Sequence, residues 1–347
     1  MRGLIFAGDR QIDYFEVPDP TPGPGEVVLE MKASGICGSD LHIYRGPKGM
    51  RLLGGTADGP VIAGHEPCGV VAAVGTDVSA REARVGDRVM VHHYSGCNVC
   101  RQCRTGWTHM CEGMFPTVYG ISAHGGHAQW LKVPARTLVH LPEELSFAAG
   151  AAISCGTGTA YQALLRLNIR AGDTLAVFGQ GPVGLAGTQL AAAMGARVIA
   201  VDLSPERLAL AREMGAHESV GAGSGDDPVA RIKELTRGRG ADYALEASGA
   251  PPARDAALQC VKIWGVVAFV GVGGDDNVNV APLMRRQVAV FGSWTFSNTI
   301  QADCATFAAD RGIDVDRIFT DRWRLEQGAE AYARVDAQAG GKGVIVM

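Results

Sequence analysis

One run constrains the fold of this chain more than any other. Thr174–Phe178 is a short apolar segment that reads as a buried strand. It passes directly into Gly179-Gln180-Gly181-Pro182-Val183-Gly184 and then into an alanine-rich helical stretch that stops at Gly195. In a chain with 47 glycines such a triad is weak evidence by itself. Between a strand and a helix it acquires a physical role: the glycines permit a tight turn, let a pyrophosphate approach the backbone, and let the helix pack on the sheet with its N-terminus facing the phosphates. Arg197–Val201 reads as the next strand, and Asp202 ends it, eighteen residues after Gly184. An acidic residue there binds the hydroxyls of an adenosine ribose, and its charge repels a 2′-phosphate, which favours NAD over NADP. Arg207 lies close by and flanks the same ribose, which keeps NADP as the alternative.

The segments downstream repeat the alternation. Ser204-Pro205-Glu206 opens a helix, with Ser as N-cap, Pro at the first helical position and Glu near the positive helix end, and that helix ends around Met214-Gly215. Further strands are expected at Tyr243–Ala247, Val266–Val270 and Val288–Phe291. Strands alternating with helices imply a parallel, doubly wound sheet. The first half of the chain is different. Val27–Lys32, Gly69–Val74 and Gly86–Val91 read as short strands between glycine-rich turns, and Asp19–Gly25 is a proline-stiffened loop, a pattern that implies an irregular β-rich domain. After about residue 295 come a helical stretch, Ala302–Asp310, and a strand-like Gly343–Val346, a tail expected to return to the first domain. At 347 residues, two domains are the natural expectation.

Cysteine usage points to metal. Nine cysteines are present, and Cys97, Cys100, Cys103 and Cys111 fall within fifteen positions. Four thiolates at this spacing can wrap one tetrahedral Zn²⁺ in a closed, structural site; an iron–sulfur cluster or two disulfides are the alternatives. The clustering fits a reducing compartment better than a secreted disulfide scaffold. A second group is more dispersed: Cys37-Gly38-Ser39-Asp40-Leu41-His42, Gly64-His65-Glu66, and Cys155 in Ser154–Thr159. Cys37, His65 and Cys155 supply two thiolates and an imidazole, a set that can bind zinc and leave a position open for a substrate oxygen. Glu66 is either a salt-bridge partner or a group that approaches the metal. Cys68, Cys260 and Cys304 read as small core hydrophobes.

Bulk properties exclude other classes. A net charge of −4 and the absence of a dense basic run argue against nucleic-acid binding. No targeting segment is visible, and the uncharged stretches Leu145–Leu165 and Thr174–Ala196 are broken by Gly, Ser, Thr and Gln, as expected of buried core and not of membrane spans. A cytoplasmic protein acting on a small molecule is expected.

Taken in order, these motifs resemble the zinc-containing medium-chain alcohol dehydrogenases. The run Gly64-His65-Glu66-Pro67-Cys68-Gly69, continuing to Gly75 and Val78, is similar to that family's zinc signature, and the resemblance covers nearly the whole chain. It implies a GroES-like β-rich catalytic domain over 1–150 and 295–347, a Rossmann domain over 151–294, and an active site in the cleft. It implies two zinc ions per chain, with Cys37, His65 and Cys155 on the catalytic one and Cys97, Cys100, Cys103 and Cys111 on the structural one. Asp40 resembles the carboxylate that orients His65. Ser39 takes the place of the hydroxyl that meets the substrate oxygen, and His42 looks like the distal end of a proton relay. Gly38 stands where some relatives carry a basic residue against the pyrophosphate. Polyol dehydrogenases of the family often have Glu where this chain has Cys155. Homodimers or homotetramers, joined through the sheet edge near Val288–Phe291, are the family pattern. The activity implied is NAD-linked oxidation of a primary, secondary or polyol alcohol, with substrate choice set by side chains such as Tyr44, Trp107, Trp294 and Phe296. Two other readings compete: a zinc-independent quinone or enone reductase of the same fold, and a non-enzymatic NAD-binding redox sensor.

Overall fold

The computed structural model describes residues 1–48, 59–223, 225–274, 278–337 and 341–347. The chain forms two compact units, Met1–Gly158 with Phe296–Met347, and Thr159–Thr295. The division falls at Gly158 and not at 150. The reason is local: the turn that carries Cys155 is tied to His93 of the β-rich unit through a hydrogen bond from His93 Nδ1 to the Ser154 carbonyl.

The β-rich unit is built on a seven-stranded sheet. Its main path runs Phe319–Arg324, Lys342–Val346, Glu26–Ile36, Glu66–Val74, Arg88–Val91 and Leu138–His140, and Trp130–Pro134 also pairs with Glu26–Ile36. Val27, Leu29, Met31, Val71, Val89, Val91, Leu131 and Val133 fill its core. Glu26–Ile36 is the central strand, hydrogen-bonded on one side to the C-terminal strand and on the other to Glu66–Val74. Its register sets Gly343 opposite Ile36 and Glu66 opposite Gly35. Three distant parts of the sequence therefore meet where this strand ends, just before Cys37.

The second unit is a six-stranded, wholly parallel sheet in the order Glu218–Gly221, Arg197–Asp202, Thr174–Phe178, Ala241–Glu246, Val261–Phe269 and Ala289–Gly292. Numbered within the unit this is 3-2-1-4-5-6, the doubly wound order of the Rossmann fold. Such sheets are covered on both faces, so their strands read as continuous apolar runs. Phe178, Ile199, Val201, Ile232, Leu258 and Val267 form one side of that core. The helices begin where capping chemistry dictates. Ser204 Oγ accepts the Arg207 N–H at 3.2 Å, and Pro205 opens the helix Pro205–Glu213.

The uncharged stretch from Leu145 forms the helices Phe147–Ala152 and Gly158–Leu167, joined by the π-helical turn Ile153–Thr157. No helix among the described residues is long and apolar enough to cross a membrane.

Candidate active site

The structure gathers the dispersed cysteine–histidine group. Cys37 follows the central strand, His65 precedes Glu66–Val74, and Cys155 sits on the π-helical turn, where one extra residue per turn swells the helix. Ligand atoms of Cys37, His65, Glu66 and Cys155 all lie within 4.8 Å of one another. The Cys37 and Cys155 sulfurs are 3.9 Å apart. Two thiolates on a tetrahedral zinc, each about 2.3 Å from it, stand roughly 3.8 Å apart, so this donor pair fits the ion. At this distance either thiol can donate a hydrogen bond to the other. The hydrogen bond from Cys155 holds the Cys37 thiol well below its ordinary range against the effect of burial, and the same contact pushes Cys155 up.

Asp40 fixes the imidazole. Its Oδ1 accepts from His65 Nδ1 at 2.8 Å, and its Oδ2 accepts the Cys37 N–H at 2.9 Å, with Asp40 fully buried. Nδ1 is thereby the protonated nitrogen, which leaves the Nε2 lone pair pointing into the ligand cluster. Ser39 is exposed, and its Oγ stands 3.3 Å from His65 Nε2. His42 is exposed on the short helix Asp40–Arg45 and lies outside the ligand cluster.

Glu66 does not stand free beside the ligands. Lys342 Nζ lies 2.5 Å from its Oε2 and 2.8 Å from its Oε1, and also donates to the Ile36 carbonyl at 3.2 Å. Burial pushes Glu66 up to about 7 even though Lys342 draws it down. Gly35 makes room for the carboxylate, because a Cβ there would fall 1.8 Å from Glu66 Oε2. Lys342 carries no motif. Only the strand register brings it to Glu66, so sequence reasoning passed over it.

Sequence reasoning also passed over a group of buried polar side chains around the Cys155 turn. His92 Nδ1 stands 3.3 Å from Gln301 Oε1, Gln301 Nε2 donates to Ser154 Oγ, and Ser154 Oγ donates to the Gly150 carbonyl. His93 packs edge-on to His65, with ring centroids 5.2 Å apart. The consecutive histidines in His92-His93-Tyr94 were the available signal.

Two of the four side chains expected to shape substrate choice are core instead. Tyr44 is packed between Phe6 and Tyr332, and Phe296 is fully buried against His92, because each has a large apolar ring that the interior can cover. Trp107 is half-buried near His109, and Trp294 is exposed.

The second cysteine group closes on itself. Cys97, Cys100, Cys103 and Cys111 present their sulfurs within 4.8 Å of one another. Backbone N–H groups point at the sulfurs: Cys97 N to Cys111 Sγ at 3.3 Å and Cys100 N to Cys97 Sγ at 3.4 Å. The N–H groups of Cys103 and Glu112 draw the Cys100 thiol down to about 6. Gly96 permits the wrap, since a Cβ there would lie 2.5 Å from Cys103 Sγ.

In the parallel-sheet unit each glycine of the triad has its own reason. Gly179 takes φ +84, a conformation L side chains rarely adopt. A Cβ on Gly184 would fall 1.7 Å from the Gly179 carbonyl oxygen, while a Cβ on Gly181 would meet nothing within 4 Å. The helix Pro182–Ala193 starts beside that open space, with Pro182 and Val183 half-buried in its first turn. Asp202 closes the loop from the neighbouring strand. Its Oδ2 accepts the Gln180 N–H at 2.5 Å and its Oδ1 accepts the Ser204 N–H at 2.9 Å.

Known proteins agree with this architecture. The model of the alcohol dehydrogenase GroES-like domain matches residues 23–143, and that of zinc-binding dehydrogenases matches residues 182–310. An uncharacterized zinc-type alcohol dehydrogenase-like protein of Escherichia coli is 41% identical, over 99% of this chain and 98% of its own length. The sorbitol dehydrogenase of Bacillus subtilis is 32% identical, over 96% and 93%. The crystal structure of 2R,3R-butanediol dehydrogenase from Bacillus subtilis superposes with a TM-score of 0.89 at 28% identity, covering 100% of this chain and 99% of that one. With a GroES-like unit, a Rossmann unit and relatives that match from end to end, the chain belongs to the zinc-dependent medium-chain alcohol dehydrogenase family.

Proposed function

We propose that this protein is an NAD-dependent dehydrogenase that interconverts a small alcohol with its aldehyde or ketone by hydride transfer. The observation that carries the reading is the open three-ligand set of Cys37, His65 and Cys155, whose fourth neighbour, Glu66, is engaged by Lys342. Cys37, His65 and Cys155 would hold a zinc ion, which would supply Lewis acidity, and the Rossmann unit would hold a nicotinamide coenzyme as the hydride acceptor. The residues of the chain do the rest. Asp40 holds His65 in one tautomer. The Ser39 hydroxyl, 3.3 Å from His65 Nε2, takes the proton of a substrate hydroxyl. His42, exposed on the same turn, is the group that passes it to solvent. Cys97, Cys100, Cys103 and Cys111 hold a second, structural zinc that does no chemistry.

For the coenzyme, Gly179, Gly181, Pro182, Val183 and Gly184 cradle the pyrophosphate. Asp202, with Arg207 nearby, faces the adenosine ribose. The Asp202 carboxylate favours NAD because a 2′-phosphate would add negative charge beside it. The named relatives that act on sorbitol and on butanediol support a substrate of alcohol or polyol type. Self-association through the edge strand Ala289–Gly292 fits the groove beside it, lined by Val280, Met284 and Val290. The clustered thiols suit a reducing, cytoplasmic setting.

The test is zinc content per chain, together with NADH production over a panel of alcohols, for wild type and Cys37→Ser. Wild type is expected to hold two zinc ions and to turn over. The variant is expected to lose one zinc and its turnover while keeping its affinity for NAD. Full activity in Cys37→Ser rejects the proposal.

A further inference from the structure

Glu246 is fully buried at the end of the strand Ala241–Glu246, and the reaction outlined above does not use it. It pairs with Phe178, the last residue of Thr174–Phe178. These two strands are the first and fourth of the order 3-2-1-4-5-6, so their carboxyl ends flank the switch point where such sheets take a dinucleotide. A buried acid next to a diphosphate site is unfavourable, because like charges repel strongly where water is excluded. The hydrogen bonds of Glu246 give a reason for its presence.

One carboxylate oxygen gathers the loop that follows the strand. Oε1 accepts the Ser248 N–H at 2.7 Å, the Gly249 N–H at 2.9 Å and the Ser248 hydroxyl. Ser248 Oγ in turn accepts the Ala250 N–H at 3.1 Å, so the hydroxyl is fixed in direction. The other oxygen, Oε2, lies 3.7 Å from Arg254 Nε, and Arg254 also donates to the Gly271 carbonyl at 2.8 Å. The Glu246 main-chain carbonyl accepts the Val270 and Gly271 N–H groups at 2.9 and 3.0 Å. Glu246 thus ties its own loop and the one after Phe269 together. The outcome of that tie is the place of Ser248. It occupies the space where a side chain on Gly179 would stand: a Cβ there would fall 2.8 Å from Ser248 Cβ and 3.0 Å from Ser248 N. Gly179 is therefore backed by Ser248, while Asp202 grips the N–H of the next residue, Gln180.

Resting on the reading of this unit as the coenzyme domain, we infer that Glu246 and Ser248 are positioning residues for the pyrophosphate: Glu246 locks the loop after its strand, so that Ser248 presses on Gly179 and holds the Gly179–Gly184 turn in its binding shape. Neither residue needs to touch the coenzyme. A turn that is already in its bound shape loses little freedom when a ligand arrives, and a loosened one must be ordered at the expense of affinity. The effect is confined to ligands that use the turn, which are those with a pyrophosphate.

The experiment measures equilibrium binding and needs no turnover. NADH is followed by its nicotinamide fluorescence, and ADP-ribose and adenosine by competition with it. Two variants share Arg254→Met, so that no charge is left buried alone. Glu246→Gln in that background keeps an oxygen that accepts the Ser248 and Gly249 N–H groups; Glu246→Leu does not. The Leu variant is expected to bind NADH and ADP-ribose roughly tenfold more weakly than the Gln variant, as for the loss of one charge-assisted hydrogen bond, with adenosine unchanged. Ser248→Gly, which removes the side chain packed on Gly179 and leaves the buried acid in place, weakens the same two ligands. Equal affinities in the Gln and Leu variants, wild-type affinity in Ser248→Gly, or a loss shared by adenosine overturn the inference. A second readout is independent of any ligand: hydrogen exchange at the Gly179 and Gln180 amides is faster in the Leu variant than in the Gln variant. If wild type binds neither NADH nor ADP-ribose while this difference is seen, the coenzyme reading fails and the bracing of the turn by Glu246 stands. If exchange is equal in the two variants, the bracing fails.

Discussion

Lys342 and Glu66, 276 residues apart in sequence, form an ion pair of 2.5 Å with neither side chain exposed, and Glu66 lies in the cluster with Cys37, His65 and Cys155. Taking two charges out of water is expensive, and mutual attraction offsets this only while both partners are present. Lys342→Met leaves the carboxylate buried and alone. We expect it to lower unfolding free energy by roughly 3–5 kcal/mol, measured by urea denaturation of the zinc-loaded protein. Adding Glu66→Gln to that variant should restore much of the loss, because no uncompensated charge remains. If Lys342→Met costs less than about 1 kcal/mol, the pair is not what holds this corner of the sheet.

A pH dependence follows from His92. The ring is 1% exposed, and burial pushes its pKa down to about 3, with His109 adding to the effect. In the unfolded chain the ring binds a proton below about 6.5. In the folded chain it does not do so until about 3. The unfolded state therefore holds the extra proton throughout that window, so stability is complete above the unfolded value and declines as pH falls towards 3. At pH 5 the His92 share of the loss is about 2 kcal/mol. His92→Gln keeps a side chain able to bond Gln301 and removes the titration. Its stability difference between pH 7 and pH 5 should be smaller than that of wild type by this amount. Equal differences in the two proteins would mean that His92 titrates normally.

The two units were legible in the sequence to different degrees, for physical reasons. In the Rossmann unit the strand, glycine turn and helix are consecutive, so local chemistry alone announced Gly179, Gly184 and Asp202, and each now has a steric or hydrogen-bonding reason. The four-cysteine loop was legible in the same way, because its ligands lie within one turn-rich segment. The GroES-like unit is held by long-range pairing. Its central strand Glu26–Ile36 joins segments from both ends of the chain, and nothing local in Lys342 or Gln301 betrays a partner hundreds of residues away. The start of the helix read as Ala302–Asp310 was missed for a smaller reason. Ser297 caps it, accepting the Ile300 N–H at 3.2 Å, so the helix begins at Asn298, ahead of its apolar pattern. Aromatic residues misled in the other direction: Tyr44 and Phe296 are core, where a ring without a polar task is most stable.

Thiol accessibility divides the nine cysteines. Cys68, Cys260 and Cys304 are fully buried, and burial raises all three thiols. Only the thiolate is an effective nucleophile, so these three should resist iodoacetamide in the native protein. Cys97, Cys100 and Cys111 retain exposure, and on the proposal that they hold zinc, a chelator should open them to alkylation within the folded chain. Mass spectrometry of tryptic peptides after brief labelling, with and without chelator, reads the pattern. Labelling of Cys304 at the rate of Cys100 would contradict the burial argument.

Coenzyme choice should turn on Asp202. Its two oxygens already receive the Gln180 and Ser204 N–H groups, which fixes the carboxylate at the end of its strand, beside the fingerprint turn. Each oxygen retains a lone pair for a ribose hydroxyl. Replacing it with alanine removes both the ribose contact and the charge that opposes a 2′-phosphate. Asp202→Ala should lower kcat/KM for NAD by roughly ten- to a hundredfold, as expected for the loss of a charged hydrogen bond, and raise that for NADP. The same substitution frees the Gln180 N–H, so part of the NAD loss can come from a loosened turn. Asp202→Asn separates the two effects. Its amide oxygen still accepts one backbone N–H, but it carries no charge, so NADP should gain in this variant as well. If NADP gains in neither variant, electrostatic exclusion by Asp202 is not the basis of selectivity, and Arg207 becomes the residue to change next.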